Sequence, residues 1–141
     1  MIDIENYVIT SIIAAYTAAS KTVKVVSGYY ANLPTLPCVQ VIQTSNTTYQ
    51  RSLDNSLTEH HASVTFQIDV YTDKKAKSKS EAKELFAIAD SAMQQMKFTR
   101  TSYAVDVVLD QTMSRVTGVY RAIVREPIKI DGDIVYQIYR P

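Results

Sequence analysis

The sequence predicts an α+β fold in which a single mixed or antiparallel sheet is covered on one face by two helices. Two consecutive stretches carry this prediction. From His61 to Tyr71, apolar residues alternate with polar ones, which is the period of a strand with one face in a core and the other in water. From Ser80 to about Lys97 the period changes to 3.6, as in an amphipathic helix that covers such a face. The apolar positions of this helix span about 120° and are Ala82, Leu85, Phe86, Ala89, Ala92, Met93 and Met96.

The first helix is expected from about Ile4 to Ala19, with Asp3 as its N-cap. Its apolar residues spread over an arc of about 140°, which Ile4 widens to about 180°. This is more apolar surface than one packing partner needs. Either the helix is wedged between two elements of its own domain, or its spare flank meets another subunit. The residues of the narrower arc are Val8, Ile9, Ile12, Ile13 and Tyr16.

Two strands, Thr22–Val26 and Cys38–Gln43, are predicted between the first helix and the alternating strand. A long polar loop follows them at about residues 44–59, where the sequence has no period and contains neither Gly nor Pro. Loops longer than about 12–15 residues in compact domains are usually functional or disordered. This loop is therefore the sequence's best internal pointer to where the protein works.

The C-terminal part predicts four further strands. Segments at about Tyr103–Asp110 and Val116–Arg125 are joined by a short connection, which favours a hairpin. The dipeptide Asp131-Gly132 lies between apolar runs at Ile128–Ile130 and Ile134–Tyr139 and predicts a second hairpin. The expected order is α-β-β-β-α-β-β-β-β. No repeat or composition break divides it, so residues 1–141 are expected to form a single domain.

Composition excludes several classes of function. The formal net charge is +1, so no overall field favours nucleic acid or an acidic membrane surface. Only three glycines occur, far apart, and a phosphate-cradling loop of the dinucleotide or P-loop kind needs several close together. The single cysteine, Cys38, excludes an intrachain disulfide and is consistent with a reducing interior. No secretory signal and no stretch long enough to span a bilayer is recognised, so a soluble cytosolic chain is expected.

The residues that could carry chemistry do not form a recognisable site. His60 and His61 are neighbours on a strand and point to opposite faces, so they cannot chelate one metal ion. Cys38 is more typical of a small buried apolar side chain than of a nucleophile. Five lysines against one acid between Lys74 and Lys83 form a local patch of +4, which is either a solvated helix face or a phosphate contact. We expect no enzyme, no catalytic residue, no cofactor and no metal.

Several stretches resemble the tail terminator, or tail completion, proteins of long-tailed bacteriophages and prophages. The resemblance follows the order of elements through most of the chain, although Lys97 stands where the family usually has a glycine. The matching pieces are Leu36–Val41, a polar loop with Asn46 and Asp54, Val64–Tyr71, Met96–Arg100 and Val119–Ala122.

The resemblance implies a structural protein of the virion tail or neck, assembled in the host bacterial cytoplasm. It implies a homo-oligomeric ring, a hexamer, that caps the tail tube, ends tube polymerisation and forms the head–tail joining surface. Its partners would be copies of itself, the major tail tube protein and a head-completion or connector protein. DNA would pass through the lumen without sequence-specific binding, and no membrane would be involved. Two alternatives stay open: another neck or head–tail connector component, or a small dimeric α+β binding module.

The expected oligomer or partner interface combines the long loop with the tyrosine-rich C-terminal strands. The chain has ten tyrosines and no tryptophan, and tyrosine suits surfaces that are half buried and half wet. Packing at the rim of the core is the other reading of these tyrosines. The predicted interface residues are Tyr49, Arg51, Asp54, Tyr120, Tyr136 and Tyr139.

Overall fold

A computed structural model describes residues 3–27, 37–48, 61–73, 78–105, 113–125, 128–131, 133–135 and 137–139. Two helices and eight strands lie in these ranges. In chain order they are α1 (Glu5–Ala18), β1 (Lys24–Ser27), β2 (Cys38–Thr48), β3 (His61–Asp73), α2 (Ser78–Gln95), β4 (Thr99–Val105), β5 (Met113–Arg125), β6 (Ile128–Ile130), β7 (Asp133–Val135) and β8 (Ile138–Tyr139).

The strands form one six-stranded mixed sheet and a separate two-stranded ribbon. The main sheet has the order β1-β2-β3-β5-β4. β8 also pairs with β5, at Ile123 and Val124, past the point where β4 begins opposite Arg121. β1 runs parallel to β2, whereas the other pairs in the sheet are antiparallel. The predicted α+β class and the β4–β5 and β6–β7 hairpins are thus confirmed. The predicted strand Ile134–Tyr139 is two elements instead of one. β7 pairs with β6 in the ribbon, whereas β8 pairs with β5 in the main sheet. Beside β8, the N–H of Arg125 donates to the carbonyl of Gln137 at 2.8 Å.

The hydrophobic core lies between the sheet and α2. Register pairs Phe66 with Tyr120 and Ile68 with Gly118, so alternate residues of β3 and β5 point to the same side. Every second residue from Ala62 to Val70 is fully buried, as the alternating pattern predicts. Phe86 of α2 lies directly on this surface, because a Cβ added at Gly118 would come within 2.5 Å of its ring. The absence of a side chain at that position allows α2 to approach the sheet.

α1 packs on α2 and contacts β1. One stripe of α1 is buried, and the hydroxyl of Tyr16 donates to the carbonyl of Leu85 at 2.7 Å. On the flank beside this stripe, Ile9 is half-buried and Ile13 remains 45% exposed. α1 therefore contacts two elements of its own domain and still leaves a spare apolar flank. The buried stripe consists of Ile4, Val8, Ile12 and Tyr16.

The predicted N-cap of α1 is off by one residue. The N-cap position is occupied by Ile4, which makes no side-chain capping bond. The carboxylate of Asp3 instead accepts from the backbone N–H of Glu5 at 3.0 Å. Asp3 thus satisfies one of the unpaired donors of the first turn from a position one residue earlier than expected.

Two strand boundaries differ from the prediction. β2 continues through Thr44–Thr48, part of the predicted long loop, and pairs with Ala62–Thr65 after a register shift between Gln43 and Ser45. The neighbouring strand offers this polar segment a hydrogen-bond ladder, so it needs no apolar period to be extended. The rest of the predicted loop, residues 49–59, lies outside the described residues.

β4 begins at Thr99 instead of Tyr103, because α2 ends earlier than expected. Lys97 has a left-handed backbone with φ of 69°, and the buried Phe98 follows it and leads directly into the strand. A left-handed residue after the last helical turn is a common way to end a helix. The predicted strand residues 106–110 lie outside the described part of the chain.

Candidate assembly surfaces

Four of the six predicted interface residues lie outside the described residues. They are Tyr49, Arg51, Asp54 and Tyr136. Their place in an interface stays a prediction. The other two, Tyr120 and Tyr139, have very different surroundings.

Tyr120 belongs to the core. It is fully buried beneath α2, and its hydroxyl donates a short hydrogen bond to the carboxylate of Asp90. The same carboxylate accepts from Arg100 at 3.2 Å and from Gln94 at 2.8 Å. Burial, reinforced by the hydrogen bond to Asp90, holds the pKa of Tyr120 well above its usual range. We therefore assign Tyr120 to a network that joins α2 to β4 and β5, in place of the predicted interface role.

Tyr139 is exposed, as a surface residue must be. It lies on β8, is 43% exposed, and donates its hydroxyl to the amide oxygen of Gln137 at 3.1 Å. Its ring lies 6.1 Å from that of His61, measured between centroids. Tyr139 also borders an open groove of about 360 Å³ that reaches Tyr7 of α1 and includes Met96. An aromatic side chain in such a place offers both apolar area and a hydroxyl to a partner.

Three other large exposed hydrophobic side chains extend the candidate surface. Ile13 is 45% exposed, Tyr103 is 44% exposed and Tyr7 is 38% exposed. The helical wheel of α1 had already indicated the flank that contains Ile13. Tyr7 and Tyr103 were missed, because a lone tyrosine on a helix or strand has no period that marks it as exposed. Tyr103 packs beside Phe86, with the guanidinium of Arg100 lying 5.2 Å from the centroid of its ring.

The side of the sheet opposite the helices, here called the helix-free face, contains a buried ion pair. Asp69 is fully buried and accepts from Arg115 at 3.3 Å, from the amide of Gln67 at 3.1 Å, and from the hydroxyl of Thr117 through a short bond. Burying a carboxylate is costly unless charge and hydrogen bonds compensate it. Here three neighbours supply that compensation. Gln40, which pairs directly across from Asp69, has its amide oxygen buried without a hydrogen-bond partner among the described residues.

Two arginines of β5 lie further along the helix-free face and are exposed. The Nε of Arg121 donates to the hydroxyl of Ser63 at 3.2 Å, and a guanidinium nitrogen of Arg125 donates to the amide oxygen of Gln137 at 3.0 Å. Both acceptors are neutral. Within the described ranges, neither arginine has a carboxylate partner, in contrast to Arg100 and Arg115. The face thus presents two oriented positive charges that no described carboxylate neutralises.

Of the other residues considered for chemistry in the sequence, only some lie in the described part of the structure. Cys38 is fully buried, and burial raises the pKa of its thiol despite the opposing charge of Lys24, which disfavours the reactive thiolate at neutral pH. His60 and Lys74–Lys77 lie outside the described residues, and Lys83 is exposed on α2. Among the side chains that the structure describes, no group of three or more His, Cys, Asp or Glu residues could hold a metal ion. No described helix is both long and apolar enough to cross a bilayer.

The described part of the chain is an α+β domain whose main sheet ends at β1 and β4 and whose surface exposes Tyr7, Tyr103 and Tyr139, and sheet edges and exposed aromatic side chains are common at contacts between chains. The chain matches the family model of the tail completion protein gp17 over residues 10–125, about four fifths of its length, and it belongs to this family of phage tail proteins. A comparison with curated proteins finds no match. The matched range begins in α1 and ends with β5, so it contains most of the core, the Asp69 ion pair and Ile13 on the exposed flank of α1. The predicted family resemblance is therefore confirmed, and the chain is a structural component of a bacteriophage tail.

Proposed function

We propose that this protein assembles as a hexameric ring on the end of the completed tail tube, where it stops tube polymerisation and forms the surface that the head connector meets. The observation that carries the proposal is the family match over residues 10–125. The partners in this proposal are copies of the chain itself, the major tail tube protein and a head-completion or connector protein. DNA passes through the lumen, and the ring is assembled in the host bacterial cytoplasm.

The distribution of exposed apolar side chains supports a ring. A ring is built from heterologous contacts, in which two different patches of each subunit meet. Ile13 on the flank of α1 supplies one candidate patch, and the groove between Tyr7 and Tyr139 supplies a second. In addition, β1 and β4 are the edge strands of the main sheet, and unpaired edges are common sites for contacts between chains. The chain thus has distinct surfaces with which to meet two neighbours.

We also propose that the protein acts by its shape and not by catalysis. The buried ionisable side chains described above are held by structural partners. Asp69 is neutralised by Arg115, and Tyr120 is tied to Asp90. The first pair joins two strands of the sheet and the second joins the sheet to α2, and neither leaves an oriented nucleophile or base in the arrangement it forms. The burial of Cys38 points the same way.

The test is an in vitro assembly reaction. The major tail tube protein is polymerised with and without the purified chain, and tube length and tube ends are scored by negative-stain electron microscopy. Light scattering gives the mass of the chain alone. The proposal expects capped tubes that stop growing and an annular particle at their ends. Tubes that grow equally long in both reactions would refute it, and a particle that bound only a head connector would favour another neck component instead.

The predicted loop contacts can be tested in the same reaction. Alanine at Tyr49, Arg51 and Asp54 together is expected to abolish ring formation while leaving thermal unfolding unchanged. The matched control is the double variant Glu81→Ala, Lys83→Ala, whose side chains are exposed on the outer surface of α2. Rings formed by the triple variant at the wild-type concentration would show that this loop is not part of the interface.

A further inference from the structure

The described charged side chains are paired differently on the two sides of the sheet. On the helix side, Lys21 pairs with Glu84 at 2.8 Å and Arg100 pairs with Asp90 at 3.2 Å. On the helix-free face, only one described arginine, Arg115, has a carboxylate partner. The two exposed arginines further along β5 are held by neutral side chains. Positive charge is therefore both oriented and uncompensated on this face, within the described residues.

The surroundings of these arginines are rich in hydroxyl groups. Arg121 pairs across the sheet with Thr65 on one side and Thr99 on the other, and its guanidinium is held by Ser63. Arg125 lies four residues further along the same strand and points to the same face, about 13–14 Å away at about 3.4 Å per residue. Arginine forks combined with Ser and Thr hydroxyls are typical contacts to the phosphate oxygens of nucleic acids.

The apolar anchors of a protein interface lie mostly elsewhere. Ile13 and Tyr7 are exposed on α1, and Tyr103 lies on the helix side of β4, where it packs against Phe86. Protein–protein hot spots concentrate on aromatic and apolar anchors of this kind. Around Arg121 the helix-free face offers charge and hydroxyls, its apolar neighbours Val119 and Ile123 are half-buried, and Tyr139 lies at its corner. An acidic protein surface is therefore the less favoured occupant.

We propose that the exposed part of the helix-free face, around Arg121 and Arg125, lines the path of the DNA, and that these two arginines contact the phosphodiester backbone of double-stranded DNA as it passes through the assembled ring. This inference rests on the proposed function, because it assigns one face of the subunit to the lumen. Contact with phosphates alone reads no sequence. It is a sliding contact, strong enough to guide the duplex and weakened by salt.

The experiment measures binding of the purified full-length protein to a fluorescent 30-base-pair duplex of arbitrary sequence by anisotropy between 50 and 200 mM NaCl. Each phosphate contact adds about 0.9 to the slope of log affinity against log salt. Two contacts therefore account for about 12-fold of the affinity lost over this fourfold salt range. The double variant Arg121→Gln, Arg125→Gln should lose that part of the salt dependence and bind correspondingly less at 50 mM. The matched control is Lys21→Gln, Lys83→Gln, which removes the same charge from the helix side of the molecule.

Light scattering and the tube-capping reaction are run on the same variants, so that failure of the inference and failure of the proposed function differ. Weaker DNA binding by the arginine variant, with rings and capped tubes retained, supports the inference. Unchanged DNA binding by that variant, an equal loss in the lysine control, or no retention of duplex by the wild type would overturn it. Loss of rings with DNA binding retained would assign the two arginines to an acidic neighbouring subunit and would also overturn it. Failure of the wild type to cap tubes would count against the proposed function alone.

Discussion

Gly118 is expected to be sensitive to substitution because Phe86 lies over it. A Cβ at this position would lie 2.5 Å from Cζ and 2.9 Å from Cε2 of that ring, closer than carbon atoms approach without displacement. The ring has little room to move, since Phe86 is 3% exposed and packs beside Tyr103 and Tyr120 at centroid distances of 5.2 and 6.4 Å. Gly118→Ala should therefore reduce the free energy of unfolding by about 1–3 kcal/mol. This loss outweighs the gain of about 0.5–1 kcal/mol that alanine ordinarily brings over glycine in a strand.

The origin of that loss can be isolated with a double-mutant cycle. Phe86→Ala alone should reduce stability by about 3–5 kcal/mol, because it removes a buried aromatic ring. In the Phe86→Ala background, Gly118→Ala should be neutral or stabilising, which gives a coupling energy of about 1–3 kcal/mol. Urea unfolding followed by circular dichroism measures all four corners of the cycle. Phe86→Leu, which removes Cζ and keeps an apolar side chain, gives a milder version of the same cycle.

Phe98 supplies the matched control for this cycle. It is also fully buried, and it packs edge-on against Phe66 with centroids 5.7 Å apart. In a Phe98→Ala background, Gly118→Ala should keep its full effect. If the effects of Phe86→Ala and Gly118→Ala on the free energy of unfolding were also additive within about 0.5 kcal/mol, α2 would not lie against Gly118 and the assigned packing would be wrong.

Three further predictions concern titration, the buried ion pair and the exposed flank of α1. Burial raises the pKa of Tyr16, and burial with a carboxylate hydrogen bond raises that of Tyr120, whereas both ionise near pH 10 when unfolded. The stability that the two tyrosines contribute is complete below pH 10 and should fall above it by about 1.4 kcal/mol per pH unit for each tyrosine. Tyr16→Phe should reduce this dependence of the unfolding free energy on pH, measured by urea unfolding between pH 9 and 11. An unchanged pH dependence would contradict the reasoning. Asp69→Asn should lower stability by about 3–5 kcal/mol because it leaves Arg115 largely buried without its counter-charge, and a loss below about 1 kcal/mol in thermal unfolding would show that the pair is not buried as described. Ile13→Ser should change monomer stability by no more than about 0.5 kcal/mol yet reduce the ring fraction measured by light scattering, and an unaltered ring fraction would remove this flank from the interface.

The elements with a strong apolar period could be predicted from the sequence. β3 could be predicted because its residues alternate between the core and the opposite face of the sheet. α2 could be predicted because its apolar residues form a single stripe that packs on the sheet. The extension of β2 to Thr48 could not be seen, since its pairing partner and not its own pattern makes it a strand. The boundary of β4 was missed because it depends on where the left-handed Lys97 ends the helix.

The candidate surfaces were harder to predict, because they depend on register. Tyr120 looked like an interface residue as long as its partner was unknown, and only the packing of α2 shows that Asp90 receives its hydroxyl. The pairing of Asp69 with Arg115 joins residues 46 positions apart, which no local pattern reveals. The exposed arginines of β5 become distinctive only after the other arginines have been paired. The spare flank of α1 could be foreseen, since a helical wheel measures apolar width directly.

The hydrogen bond from Tyr16 to Leu85 spans 69 residues, and this separation has a consequence during synthesis. Ribosomes extend chains at about 5–20 residues per second, so the N-terminal helix waits about 3–14 s for its docking partner to be made. Throughout that interval its stripe of isoleucine, valine and tyrosine is without the surface that later buries it. Before residue 85 emerges, the nascent chain is therefore most accessible to chaperones and to premature contact with other nascent chains translated from the same mRNA.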